Sequence, residues 1–175
     1  MNQTPVAIRL VTPGSADAES LASVLIDCVE GGASVGFMLP LARSTARSFW
    51  EQALASAERG ERIVLVAVRP SGDIVGTVQV VFAVAENQPH RGNVAKMLVR
   101  RDARRLGIGA MLIQAAESAA RRAGRTLLVL DTASGSDAER LYARLGWVRV
   151  GEIPTYALWP DGRPCSTTYF YKELR

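Results

Sequence analysis

The stretch from Asn93 to Ala110, NVAKMLVRRDARRLGIGA, carries the densest chemistry in this 175-residue chain. A run with strand character passes into an arginine-rich loop, and Gly107 and Gly109 stand two apart just where helical spacing begins. Glycine there lets a ligand approach the backbone closely. The free N–H groups of a helix's first turn, at the positive end of its dipole, favour a phosphate. Arg104 and Arg105 add positive charge on the same loop. On residue chemistry alone this is a phosphate cradle, silent on which cofactor it holds.

Two readings of that cradle compete. A dinucleotide site wants G-x-G-x-x-G directly after a strand and an acid about twenty residues further on. Gly107-Ile108-Gly109 supplies the first half, and Asp131 imitates the acid. Leu112 stands at the third glycine position, however, and the arm Arg100 to Leu106 replaces the tight turn. Metal chemistry is not expected. His90 is the only histidine, and Cys28 and Cys165 are far apart without zinc spacing.

The elements that must position this loop follow from periodicity. Val6 to Leu10 reads as a strand and Thr12-Pro13-Gly14-Ser15 as a turn. A helix follows over about 16–30, with Leu21, Val24, Leu25, Cys28 and Val29 on one stripe and Gly31-Gly32 as its stop. A second helix is expected over about 44–59, with Ala46, Phe49, Trp50 and Ala53 on its core face. Between them, GGASVGFMLPL is oddly apolar for a loop. No helical period accounts for Phe37, Met38 and Leu39, which makes them candidates for lining a ligand. The period then shifts: 62–69 and 74–84 form a hairpin about Pro70-Ser71-Gly72-Asp73, and 93–99 is a further strand. A helix over 108–123 leads to a strand over 126–130 that ends at Asp131. Ser136-Asp137-Ala138-Glu139 is a capping box opening a short helix, and strands over 147–153 and 167–172 close the chain. The order β-α-α-β-β-β-α-β-α-β-β, hairpins beside one crossover, implies a mixed α/β sheet with helices on both faces.

The length suits one domain over 1–175. With 48% hydrophobic and 22% charged residues the chain can bury a core, which excludes a disordered tail or linker. No apolar run approaches the roughly 20 residues of a membrane span, and the N-terminus lacks the features of a signal peptide. A cytoplasmic protein without membrane contact is expected. The net charge of +4 invites a nucleic-acid partner. Most arginines alternate with acids along helices, though, and one cluster at Arg100, Arg101, Arg104 and Arg105 does not make a nucleic-acid surface. Oligomeric state stays open, a homodimer included.

Arg104-Arg105-Leu106-Gly107-Ile108-Gly109 fits R-x-x-G-x-G/A and resembles the pyrophosphate loop of the GNAT family of N-acetyltransferases. The order of elements is similar over nearly the whole chain. The ending Asp131 to Tyr142 with Leu145-Gly146-Trp147, together with GFMLPL, looks closest to the tabtoxin-resistance type. The resemblance implies the GNAT fold, a mostly antiparallel sheet whose central parallel strand pair splays. It also implies acetyl-coenzyme A as co-substrate, with no metal, and transfer to the primary amine of a small, amino-acid-like molecule, toxin or antibiotic. A protein amine acceptor and a non-catalytic acyl-coenzyme-A sensor are the alternatives.

Residue by residue, the resemblance implies that Met97, Leu98 and Val99 pair with the pantetheine arm. Arg104, Arg105, Leu106, Gly107, Ile108, Gly109 and Ala110 would surround the pyrophosphate, although Leu106 and Ala110 stand where many relatives carry arginine. Tyr142 falls at the family's general acid, so the alkaline limb of the rate profile should bend where a tyrosine ionises. Asp131, on the strand that splays away beside the acetyl group, is the candidate base, and its alternative is to cap its own turn. Glu86 and His90, on the arm before the fourth strand, join Phe37, Met38 and Leu39 as acceptor-side candidates.

Overall fold

The computed structural model describes residues 6–12 and 17–174; the turn read at Pro13-Gly14-Ser15 lies outside them. Seven strands form one sheet in the order β1-β2-β3-β4-β5-β7-β6. In the chain these are β1 (Ala7–Leu10), β2 (Arg62–Val68), β3 (Ile74–Phe82), β4 (Arg91–Val99), β5 (Leu127–Ala133), β6 (Val148–Leu158) and β7 (Pro164–Glu173). Helices α1 (Ala18–Glu30) and α2 (Arg43–Glu58) precede β2, α3 (Ile108–Arg122) joins β4 to β5, and α4 (Asp137–Arg144) joins β5 to β6. The element order is the one periodicity dictates. The mixed α/β architecture with a single parallel pair among the described strands, β4 with β5, is the expected one.

Two apolar cores lie on opposite faces of the sheet. In β2, Val64 and Val66 pack beneath α1 and α2 while Leu65 and Ala67 pack beneath α3. A strand covered on both sides has no polar face to show, which is why RIVLVAV lacks the alternation of a half-exposed strand. On the α1/α2 face Trp50, Leu21, Leu25 and Cys28 are fully enclosed; on the α3 face Leu112, Ile113, Leu128 and Phe170 are.

Two boundaries differ from the sequence reading. β6 runs on to Leu158 and β7 begins at Pro164, making a long hairpin whose turn is held by Trp159 N–H on the Arg163 carbonyl (2.8 Å). The register slips between Ile153 and Ala157, and Thr155 adopts a φ of +51°, so a bulge with Pro154 interrupts the pattern that would have revealed the extension. β5 continues to Ala133, which places Asp131 inside the strand rather than at its end. No helix among the described residues is long and apolar enough to cross a membrane.

Candidate active site

β4 and β5 pair through only three residue couples, Arg91 with Leu127, Gly92 with Leu128 and Asn93 with Val129. Beyond these the strands diverge. β4 stays bonded to β3 and β5 stays bonded to β7, so a wedge opens in the middle of the sheet between Val94–Val99 and Leu130–Ala133. The backbone of β4 that faces the wedge has no neighbouring strand. One of its carbonyls is engaged locally: Val99 O accepts from Arg104 Nε (3.1 Å) and from Cys28 Sγ (3.5 Å).

Inside that free stretch β4 carries a bulge. Thr77 pairs with Leu98 and Gln79 with Ala95, so one β3 residue is spanned by two in β4, Lys96 and Met97. Lys96 takes a φ of +50°, a left-handed conformation uncommon for a residue with a side chain. Bulges of this kind re-aim side chains, and the Lys96 ammonium sits over the rings of Phe49 (5.4 Å to the centroid) and Phe37 (5.9 Å) on the α1/α2 face.

At the wide end of the wedge stands the N-terminus of α3. A 3₁₀ turn at Arg101–Ala103 leads into Arg105 (φ +62°) and Gly107 (φ +78°), the latter at the N-cap. Glycine has no side chain with which to cap, so the first-turn amides of α3 are left without an intrahelical or side-chain partner. Gly107 is required for its backbone angle. Gly109 also sits in a tight place: a Cβ there would lie 3.0 Å from Leu141 Cδ2 and 3.7 Å from the Met97 sulfur. It packs α3 closely against α4 and β4, a second use for that glycine beside the ligand approach expected of it. Of the basic cluster, Arg101 is bound to Asp27 (2.9 Å) and Arg100 to Asp102 (3.3 Å).

Tyr142 lies on α4, packed between Trp147 (ring centroids 5.8 Å) and Phe170 (6.1 Å). It is 5% exposed, and burial, with the Asp131 charge adding to it, pushes its phenol well above the usual range. The expected alkaline bend should therefore lie at higher pH than for a free tyrosine. Asp131 sits opposite Tyr169 in the β5–β7 register, on the face toward α1 and α2. Desolvation raises its pKa, and the Lys96 charge opposes that rise. Lys96 is the mirror case: desolvation lowers its pKa and the Asp131 charge opposes the fall. Tyr169 donates to the Tyr156 hydroxyl (2.8 Å), and that bond, with some burial, pushes Tyr169 up to about 12.

The wedge and the uncapped helix agree with what the whole chain resembles. The family described as "Acetyltransferase (GNAT) domain" matches residues 60–149, from just before β2 into β6. The chain belongs to the GNAT acetyltransferase family. An uncharacterised N-acetyltransferase from the hisH–hisA intergenic region of Azospirillum brasilense is 28% identical over 162 residues, covering 87% of this chain and 94% of that protein. Among solved structures, the ribosomal-protein-alanine N-acetyltransferase of Brucella melitensis is 26% identical with a TM-score of 0.78, over 96% of this chain and 99% of its own. A GNAT phosphinothricin acetyltransferase of Sinorhizobium meliloti, solved in complex with acetyl-coenzyme A, shares the fold: TM-score 0.80 at 19% identity, over 98% of this chain and 89% of its own.

Within this GNAT fold the sequence-derived candidates separate into two groups. Met97, Leu98 and Val99 form the β4 wall of the wedge, Arg104 to Ala110 form its wide end, and Asp131 and Tyr142 flank it. Phe37 reaches the same place, edge-on to Phe49 at 5.4 Å, while Met38 and Leu39 are exposed on the loop beside it. That loop is tied across to the β6–β7 hairpin by Ser34 Oγ on Leu158 O (2.8 Å) and Leu39 N–H on Pro160 O (3.0 Å). Glu86 and His90 are not brought there. The His90 carbonyl accepts from Thr126 and Leu127 N–H, at the closed end of the β4–β5 pair. Six residues of strand, roughly 20 Å, separate it from Lys96. Glu86 lies exposed in the preceding turn. Sequence reasoning did not single out Lys96; Phe49, expected on the core face of α2, does pack against the α1/α2 core and also lies under the Lys96 ammonium. The signal for Lys96 was present: a lysine amid the apolar residues of a central strand breaks the pattern of a strand covered on both faces.

Proposed function

We propose that the protein is an N-acetyltransferase that moves the acetyl group of acetyl-coenzyme A to the primary amine of a small molecule. The observation that carries this is the wedge itself, with the free backbone of β4 on one side, uncapped α3 amides at its mouth and Asp131 and Tyr142 on β5 and α4 across it. The pantetheine arm would lie along Met97 to Val99 as an added strand, and the amides after Gly107 would hold the pyrophosphate. The amine lone pair attacks the thioester carbonyl carbon while a backbone N–H of the β4 bulge near Leu98 holds the developing oxyanion. The C–S bond then breaks, the thiolate takes the Tyr142 proton, and the ammonium proton passes to Asp131 directly or through water.

A small acceptor is favoured over a protein tail because the 31–41 loop, tied to the β6–β7 hairpin, crowds the face from which the amine must enter. The similarity to an enzyme named for ribosomal-protein alanine keeps a peptide amine as the second reading. One domain, cytoplasmic, with two buried free thiols suited to a reducing compartment, completes the reading. The exposed side chains of edge strand β6, Val148, Val150 and Ile153, are the surface through which a homodimer would form.

The test is release of coenzyme A thiol on mixing the protein with acetyl-coenzyme A and a panel of small amines and of peptides with free N-termini. Calorimetric titration of acetyl-coenzyme A runs alongside. Turnover of a small amine well above that of any peptide is expected. Tight cofactor binding with no turnover of any amine would instead mark a sensor.

A further inference from the structure

The lysine in the wedge has a chemistry that the transfer reaction does not call for. An amine acceptor arrives largely protonated, and a fixed ammonium in its pocket repels it. Lys96 is half-buried, its ammonium has no ion-pair partner within 4 Å among the described residues, and only the more distant Asp131 offsets its charge. The Phe37 and Phe49 rings attract it but do not neutralise it. Its backbone is moreover held at a φ of +50°, a strained angle of the kind that persists where surrounding structure enforces it.

A second, independent observation lies on the same face. Gln79, 1% exposed, pairs in register with Ala95, the residue before Lys96. Its Oε1 accepts from Arg62 Nη1 (2.8 Å), while its Nε2 has no hydrogen-bond partner among the described residues. A buried amide N–H₂ without an acceptor costs free energy and is uncommon without a reason. The lysine ammonium and the glutamine N–H₂ are donors only and leave that face electropositive, while Asp131 on the far wall of the wedge is an acceptor.

We infer that Lys96 anchors an anionic group of the acceptor and that the acceptor's amine lies toward Asp131. The acceptor is then a zwitterion of the amino-acid type, carrying a carboxylate or a chemically equivalent anion close to its amine. Lys96 selects against amines that bring only positive charge, polyamines and aminoglycosides among them. This rests on the acetyltransferase reading above.

The experiment measures acetylation of the L-amino acids and of their carboxamides, each as a pair, together with spermidine and kanamycin, in the wild type, Lys96→Met and Lys96→Arg. At least one amino acid is expected to be turned over in preference to its carboxamide, with no turnover of the polycations. In Lys96→Met the KM for that amino acid should rise on the order of 10²-fold, the scale for losing one partner of a desolvated charge pair. The acid-to-amide ratio should fall toward one, and Lys96→Arg should restore part of it. A purely structural lysine would slow both members of each pair alike, and an unchanged ratio in a folded Lys96→Met variant overturns the inference. So does wild-type turnover of carboxamides or polycations ahead of the acids, or of no amino acid at all while acetyl-coenzyme A still binds. Failure to bind acetyl-coenzyme A would bring down the underlying reading instead.

Discussion

Tyr142 separates catalysis from packing more cleanly than any other side chain. Tyr142→Phe keeps the ring between Trp147 and Phe170 and removes only the hydroxyl. With the phenol as acid, kcat should fall about 10²–10⁴-fold with cofactor affinity intact; wild-type turnover would leave the ring a purely structural role. Asp131 should show the reverse of a salt-bridged carboxylate. Its folded-state pKa is raised, so the fold favours its protonated form, and that stability is present at low pH and lost as pH rises through the folded-state value. Asp131→Asn should therefore melt no lower than the wild type at pH 7 while losing turnover, and wild-type rates should fall on the acid side as Asp131 protonates. A marked drop in melting temperature would show the carboxylate to be structural. The positions of Tyr142 and of the glycines were legible because helix caps and spacing are local. Lys96 was not, because its meaning comes from a bulge created against β3, a neighbour across the sheet.

At the scale of elements, the α3 entry assigns its two glycines different work, and the difference is measurable. Gly107→Ala forces a Cβ into a left-handed N-cap and should cost about 1–2 kcal/mol, with weaker acetyl-coenzyme A binding as the free amides lose their alignment. Gly109→Ala meets Leu141 on α4, the helix that carries Tyr142. It should lower kcat more than cofactor affinity, as Leu141 gives way and loosens the seat of α4. Equal effects of the two substitutions on the dissociation constant would show Gly109 to act at the phosphate site alone. The α4 start itself was readable: Ser136 Oγ accepts from Glu139 N–H (3.1 Å) as the capping pattern requires. The Glu139 carboxylate, though, accepts from Gly135 N–H, one residue earlier than the pattern predicts. Glu86 and His90 failed at this scale. Nearness in sequence to β4 says nothing about which end of a nine-residue strand meets the wedge.

For the whole molecule, a sheet opened at its centre needs something to hold its halves together. Glu117 on α3 supplies one tie, accepting from Trp147 Nε1 (2.9 Å) just before β6 and from Lys172 Nζ (2.9 Å) on β7. It links the helix that packs on β2 to β4 with the β5–β7 half. Glu117→Ala takes the counter-charge from a part-buried ammonium that keeps only the Leu145 carbonyl (2.8 Å), leaves an indole N–H unpaired, and should cost about 3 kcal/mol, or roughly 6–12 °C in melting temperature, with Glu117→Gln losing less. None of this was visible beforehand, since three residues so distant in sequence carry no shared local pattern. The order of the elements was, because each has its own period and its own breakers.

The three-couple seam also governs how solvent deuterium reads the molecule. A strand in the middle of a seven-stranded sheet normally has the most slowly exchanging amides in a protein. β4 beyond Asn93 has a neighbour on one side only, so its amides should divide into two populations. Those bonded to β3 should exchange with the core. Those turned toward the wedge should exchange as if they belonged to the rim of the sheet, and should slow sharply once acetyl-coenzyme A is added. Labelled this way, the protein would display an edge at its own centre.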